Sequence, residues 1–314
     1  MKSEIKINLD MGNIREYIDG EIAKIKKSFE FNYAPYKVKI DDFVDDLIEC
    51  VTEDNKFWES GVKEFNFSVC GGALTSVFTK KEINDFDIYF EDEKIFNLFT
   101  SILGESYATP LASSQRAITY NRSGKTFQLI KLYGTPSEIF DMFDFTINMA
   151  SLAYTYKERD DRAYDLESDF VFDGRFFIDN MSKSLVFNKN TLYPINSLFR
   201  VKKYQERGYN INTLELMKIA LRISQMEIKT IGDIKNQVTG LSSDIMTELT
   251  SKMAGLPDSE KVEDPITFIQ DVYDGLINKE TFKNDIGATV PKPRNPLDNL
   301  DLSGIMGIGS DLND

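Results

Sequence analysis

The chain has 314 residues with a net charge of −14, a 41% hydrophobic and 12% aromatic composition, and no histidine. That length suffices for one large domain or two ordinary ones, and the acidic balance argues against a surface that binds nucleic acid as a whole, though not against a local basic cleft. The missing histidine excludes Ser-His-Asp and Cys-His catalysis, HD-type phosphohydrolase sites and histidine-ligated metals, so acid–base or metal work falls to carboxylates, Lys, Tyr or Cys.

In chain order, MKSEIKINLDMGN carries no apolar signal-peptide core, and no run reaches transmembrane length. The expected setting is therefore the cytoplasm, with no membrane partner. Ile14, Tyr17, Ile18, Ile22 and Ile25 recur at helical spacing, which predicts an amphipathic helix over about 12–29. Phe43, Val44, Leu47, Ile48 and Val51 repeat the pattern over 41–52 after an Asp-rich start. FNFSVC (65–70) predicts a short strand ending in Gly71-Gly72, ALTSVF a brief helix, and DFDIYF (85–90) a second strand. Asp92 caps a helix carrying Ile95, Phe96, Phe99, Ile102 and Leu103, with Gly104 at its end. Residues 116–133 predict a hairpin turning at NRSGK. Thr135-Pro136-Ser137-Glu138 is a capping box for a helix over about 136–142.

FDFTINMASLAY (143–154) follows as an apolar run. As a strand it places Phe143, Phe145 and Ile147 on one face and Asp144, Thr146 and Asn148 on the other. Residues 155–190 are charged and broken, with weak strands at FVF and FFI. From Pro194 the pattern is helical, with Asn212 and Glu215 as a second capping pair and further helices over about 231–254 and 264–286. The stretch 288–314, with Pro291, Pro293 and Pro296, reads as a flexible tail. Cys50 and Cys70 stand outside any CxxC and read as buried free thiols.

The chemistry concentrates in SVCGGALTSVFTKKEINDFDIYFED. Asp85 and Asp87 are two apart on a strand and project to the same face. Like charges so close repel, and each favours protonation unless a cation relieves the cost. Mg²⁺ suits such a pair, with substrate phosphates completing its shell. The glycines upstream allow a close backbone approach to phosphate. Asp144, set in an aromatic run, is a candidate third carboxylate. Each feature has a bland alternative: an edge-strand solvent face, an ordinary turn, a cap, a solvated helix face.

The glycine pair, the thirteen-residue interval to DFD, and the later DFTINMA resemble the nucleotidyltransferase core of the DNA polymerase β-like superfamily. Within it they are most similar to the class II tRNA nucleotidyltransferase and bacterial poly(A) polymerase branch, and to phage nucleotidyltransferase-like proteins. INSLFRVKKYQERGYNI (195–211) resembles that branch's neck helix, and the likeness covers roughly 65–225. It implies an α+β fold: a small mixed sheet with flanking helices, followed by a helical neck and C-terminal region. It also implies an N-terminal helical segment (1–60), a nucleotidyltransferase core (61–190), a neck and C-terminal domain (191–287) and a tail (288–314).

By this resemblance Asp85, Asp87 and Asp144 would hold two Mg²⁺ ions. Gly71 and Gly72 would meet the triphosphate through their N–H groups, Ser76 would add a hydroxyl, and Arg200 and Lys203 would reach the triphosphate or base. The family's Arg-Asp after the glycines is replaced by Leu74, Thr75 and Ser76, and its paired arginines by Met142 and Phe143. The acidic pair followed by Arg that reads CTP and ATP has no counterpart. The implied function is transfer of a nucleoside monophosphate from an NTP to a hydroxyl, such as an RNA or tRNA 3′ end. Two alternatives stand: a retired scaffold that binds a larger assembly, with its tail meeting a protein partner, and a synthase of oligonucleotide messengers.

Overall fold

A computed structural model describes residues 11–159, 162–238, 251, 253–268 and 270–271. The chain opens with α1 (Met11–Thr52) and the short α2 (Asn55–Glu59). There follow β1 (Glu64–Cys70), α3 (Gly72–Phe78), β2 (Asp85–Phe90) and α4 (Glu93–Ile102). Next come β3 (Thr109–Ser113), β4 (Ala117–Arg122), β5 (Lys125–Ile130), α5 (Pro136–Met142), β6 (Ala150–Glu158) and β7 (Tyr164–Phe172). The helices α6 (Arg175–Met181), α7 (Pro194–Glu206), α8 (Thr213–Ser224) and α9 (Ile231–Val238) complete the order. The fold is α+β.

The strands form one seven-stranded sheet in the order β3-β4-β5-β2-β1-β6-β7. Only β2 and β5 run parallel, so the sheet is mixed. Side chains alternate across it. Phe65, Phe67 and Val69 of β1, Phe86, Ile88 and Phe90 of β2, and Leu152, Tyr154 and Tyr156 of β6 join one core with Phe43, Val44, Leu47 and Val51 of α1. The rings of Phe43 and Phe86 stack with centroids 4.1 Å apart. The opposite face carries a smaller cluster of Cys70, Tyr89, Ile139, Phe140 and Met149. Both cysteines are free and buried.

Several local expectations are corrected. The two N-terminal helices are one, running through Pro35. Phe29 stacks on Phe170 and Tyr33, and Tyr33 meets Phe78 at a tilt, so side chains anchored to the body hold the helix just ahead of the proline. Of the apolar stripe that predicted the first of those helices, Tyr17, Ile18, Ile22 and Ile25 are exposed, Tyr17 to 69% and Ile18 to 49%. Gly104 does not end α4; it lies in a π-helical turn, Leu103–Tyr107, that continues the chain into β3. That strand went unread, since TPLAS is exposed throughout and has no alternation to betray it. Residues 155–190 hold a long strand, β7, and FFI lies in helix α6 rather than in a strand. The hairpin turns as expected, with Ser123 and Gly124 at φ 51° and 78°, the left-handed pair of a two-residue connection.

The chain divides into two compact units, one of residues 1–227 and 233–241 and one of 228–232 and 242–314. The described part of the second is small. Thr230 bridges Lys261, the Ile231 amide donates to the Glu260 carbonyl at 2.9 Å, and Asp264 caps a following turn through the Ile266 amide. Most of the helix predicted over 264–286, residues 239–250 and 252 of that over 231–254, and the tail lie outside the described residues. No described helix is long and apolar enough to cross a membrane.

Phe43→Ala empties a buried position between α1 and the sheet, and is expected to cost about 3–5 kcal/mol in urea unfolding. Tyr17→Ala is expected to stay within about 0.5 kcal/mol. Equal losses would show that the first turns of α1 are packed against something.

Candidate active site

The site grows from the face of the sheet that α1 leaves uncovered. On β2 the alternation that buries Phe86, Ile88 and Phe90 turns Asp85, Asp87 and Tyr89 the other way. Asp85 is exposed, Asp87 half-buried, Tyr89 buried. Gln128 of β5 and Cys70 of β1 are the register neighbours of Asp87.

Opposite stands α7. Burial and the neighbouring Asp85 push the Asp87 carboxyl up to about 7, while Arg200 and Lys203 act to lower it. Burial, Arg200 and Arg207 in turn pull the Lys203 ammonium below its usual value, against the attraction of Asp85 and Asp87. Asp85 and Asp87, two apart on β2, thus lie within electrostatic reach of Arg200 and Lys203, three apart on α7.

Asp144 arrives differently from the sequence expectation. It is not on a strand. It precedes a 3₁₀ turn, Thr146–Asn148, and β6 starts only at Ala150. Phe145 bridges Phe187 outside the sheet, and Phe145 and Ile147 enter a second core with Val201, Tyr204 and Tyr209. The strand alternation was plausible in sequence but lost to this packing. The turn brings Asn148 back toward Asp144, and the Asn148 amide reaches Asp144 Oδ1 at 3.5 Å. The Phe145 N–H donates to the same oxygen at 3.0 Å. Arg200 Nη1 lies 3.2 Å from it, across the buried carboxylate.

A hydrogen-bond chain fixes that arrangement. Arg200 Nη2 donates to the Tyr204 hydroxyl at 2.8 Å, and Tyr204 donates to Asn148 Oδ1 at 2.9 Å. Thr75 Oγ1 reaches the same Asn148 oxygen at 3.3 Å and the Ile147 carbonyl at 2.8 Å. Burial works against the Arg200 charge, but Asp144, Tyr204 and Asp87 outweigh it and hold the guanidinium above its usual value. Thr75, Asn148 and Tyr204 were not read as site residues. For Thr75 and Tyr204 the sequence signal was polarity within apolar segments; Asn148 lay in the DFTINMA stretch, where it was placed on the face of Asp144.

The glycine turn is built for conformation. Gly71 sits at φ 73°, a value that favours glycine, and a Cβ there would meet the Phe143 ring only at 3.7 Å. Its N–H donates to the Ala150 carbonyl at 3.1 Å, so it is committed to the sheet and not aimed at a phosphate. Gly72 is the first residue of α3 and Ser76 is half-buried on the same helix. Glu215, expected as the partner of Asn212, instead accepts from the Phe187 amide at 2.8 Å, while Asn212 caps α8 through the Glu215 amide.

Among the described residues no three acidic or thiol side chains converge as a ready metal cluster. Asp85 and Asp87 come together; Asp144 faces Arg200. The pair suits a hard divalent cation. Its oxygens are the preferred donors for Mg²⁺, and a cation would relieve the cost that burial and the neighbouring Asp85 charge impose on the Asp87 carboxylate.

The raised Asp87 value has a sign that can be measured. The fold holds that proton more tightly than an unfolded chain does, so unfolding free energy falls as pH rises from about 4 to about 7 and stays down above it. Asp87→Asn removes the penalty. The variant is expected to melt about 2–6 °C above the parent at pH 8, with the difference closing near pH 4. A difference independent of pH would contradict the burial of that charge.

Comparison with known proteins adds two kinds of likeness. A family model described as Gabija anti-defense 2 family protein matches residues 36–183, which span the whole sheet and include Asp85, Asp87 and Asp144 but not Arg200 or Lys203. A protein of Bacillus phage SPbetaL7 named Gabija anti-defense 2 is 33% identical over 175 residues, 55% of this chain and 41% of that relative. The chain thus spans less than half the length of the curated relative it matches. Among solved structures, a tRNA-processing enzyme is similar at a TM-score of 0.40 and 14% identity, over 73% of this chain and 62% of that one. A CCA-adding enzyme in complex with ATP is similar at 0.41 and 11%, over 72% and 56%. The Thermotoga maritima CCA-adding enzyme complexed with tRNA is similar at 0.38 and 12%, over 60% and 47%.

Proposed function

We propose that this chain is a phage anti-defense protein, acting against the defence that its relative's name specifies, and that its working part is a nucleotidyltransferase-like cleft for a nucleoside triphosphate and a divalent cation. The observation that carries this is that Arg200 and Lys203 of α7 lie within electrostatic reach of Asp85 and Asp87 on the open face of β2. One side suits a cation and the other an anion, which is the combination a metal–triphosphate presents.

Asp85 and Asp87 would hold Mg²⁺, with Asp144 as the further carboxylate. The ion would lower the pKa of an attacking hydroxyl and balance charge on the phosphates. Arg200 and Lys203 would neutralise the polyphosphate from α7. Transfer joins the acceptor oxygen to the α-phosphorus and releases pyrophosphate, and the acceptor hydroxyl's proton passes to solvent. It needs positioning and charge more than a protein base, which suits a chain without histidine. An RNA 3′ end is one acceptor class.

A second reading, nucleotide binding without transfer, has its own support. The positions where the resembling family carries motif arginines are used here for packing. Thr75 spends its hydroxyl on Ile147 and Asn148, and Phe143 packs edge-on against Tyr89.

The test is incubation with each α-labelled NTP and Mg²⁺, with and without bacterial RNA, beside Asp85→Ala/Asp87→Ala. Label entering RNA, reduced about 100-fold or more in the variant, is expected of a tailing enzyme. A small labelled product without RNA identifies a messenger synthase. NTP binding that needs both aspartates, without transfer, selects the second reading. In parallel, the chain and the variant are expressed in bacteria carrying the Gabija defence and phage plating is counted. Rescue of plating by the parent alone is expected; equal rescue by the variant would show that the cleft is not the working part.

A further inference from the structure

Among the described residues, two arginine–aspartate pairs have a buried carboxylate, and they are built differently. Arg175 grips Asp179 with two parallel bonds, Nε to Oδ2 and Nη2 to Oδ1, both at 3.0 Å. Asp179 also accepts from the Thr146 hydroxyl. This is the bidentate fork that fixes a guanidinium in one place. Arg200 Nη1 approaches Asp144 Oδ1 to 3.2 Å, longer than a good charge-assisted bond. The other Arg200 bond goes to a neutral hydroxyl, that of Tyr204, four residues along α7.

The surroundings are also asymmetric. The Asp144 side chain is 6% exposed and that of Arg200 31%, so an anion from solvent can reach the guanidinium without disturbing the carboxylate. The contacts that described residues make to Asp144 converge on Oδ1, from Arg200, the Phe145 amide and the Asn148 amide. Oδ2 is the oxygen that a further ligand would use. The charges of both Asp144 and Asp87 act on Arg200, with Asp144 the larger influence.

We propose that Arg200 is an exchangeable counter-ion: it neutralises Asp144 until a polyphosphate draws it away, and Asp144 is thereby released to join Asp85 and Asp87 around a divalent cation. The inference rests on the cleft reading above and concerns its regulation. The physical reason is the cost of an unpaired buried charge. Removing Arg200 leaves Asp144 ionised and buried, which is strongly unfavourable until another cation takes the place. Removing the competition of Asp144 leaves Arg200 with all its charge for phosphate. Anion and divalent cation therefore bind as a coupled pair, each favouring the other, and Arg200 is a positioning residue through which the coupling passes. Nothing in this exchange makes or breaks a covalent bond.

Two binding measurements on the full chain test it, neither reading activity. In the first, Mn²⁺ affinity is measured by calorimetry without phosphate for the parent, Asp144→Asn, Arg200→Met and the double variant. Asp144→Asn is expected to change the parent's affinity less than about threefold, because Arg200 already holds that carboxylate. In the Arg200→Met background, where Asp144 is freed, the same substitution is expected to weaken Mn²⁺ about tenfold or more. Equal effects in both backgrounds would overturn the exchange. In the second, inorganic triphosphate is titrated in EDTA. Asp144→Asn is expected to tighten it about fivefold or more, and Arg200→Met to abolish it. Unchanged or weaker triphosphate binding by Asp144→Asn overturns the proposal even if Arg200→Met does not fold. If Mn²⁺ binds none of the chains, or binds as well after Asp85→Asn/Asp87→Asn, the cation reading of the cleft itself fails, and the exchange falls with it for that separate reason.

Discussion

The central strand of the sheet, β2, has one face sealed in the large core by Phe86, Ile88 and Phe90, with Phe86 stacked on Phe43 of α1 and Phe90 against Phe99 of α4. Successive side chains on a strand alternate, so the sealing of one face dictates the other. Asp85 and Asp87 have no freedom to turn inward; a slip of one residue would bury both carboxylates in an aromatic core. Their pairing on the open face follows from the hydrophobic effect on the far side of the sheet. The Phe43–Phe86 stack and the Asp85–Asp87 pair are two consequences of one register.

The open face is completed by elements that come later in the chain. α5 supplies Ile139 and Phe140 to the small cluster with Tyr89 and Cys70. Asn188 donates its side-chain amide to the Asp141 and Phe143 carbonyls at 2.8 and 2.9 Å, and its backbone N–H to the Asp144 carbonyl at 2.8 Å, which fixes the loop that carries Asp144. α7 is then docked by Phe145 against Tyr204 and by the polar chain from Thr75 to Arg200. A buried polar chain of this kind is costly unless every member is satisfied, and here each side chain has a partner. Thr75 is spent on that chain and on the Ile147 carbonyl, so its hydroxyl ties α3 to the turn that follows Asp144.

Much of this was legible in the sequence, and the particulars show why. The strands FNFSVC and DFDIYF, the capping box at Thr135 and the turn at Ser123-Gly124 were readable because each depends on residues within a few positions of one another. The carboxylate pair was readable for the same reason. Two misreadings share another cause. The Ile18 and Ile22 stripe has the spacing of a buried helix face yet is exposed, because periodicity records what a helix could bury, not whether anything covers it. FDFTIN alternates as a strand would but ends in a 3₁₀ turn, because Phe145 and Ile147 have a second core to enter, made with Leu185, Val201 and Tyr204. Local propensity was overridden there by distant partners.

By itself the sequence determined the α+β class, the facing of Asp85 and Asp87, the glycine at a left-handed turn and the exclusion of histidine chemistry. Only the tertiary structure decided that Arg200 meets Asp144, that the Gly71 amide belongs to the sheet, and that Tyr204 and Asn148, 56 residues apart, share a hydrogen bond. The division has a physical basis. A period of two or of 3.6 is enforced by neighbours along the backbone, whereas a contact across such a separation exists only once the chain has closed and the cores on either side have fixed both ends.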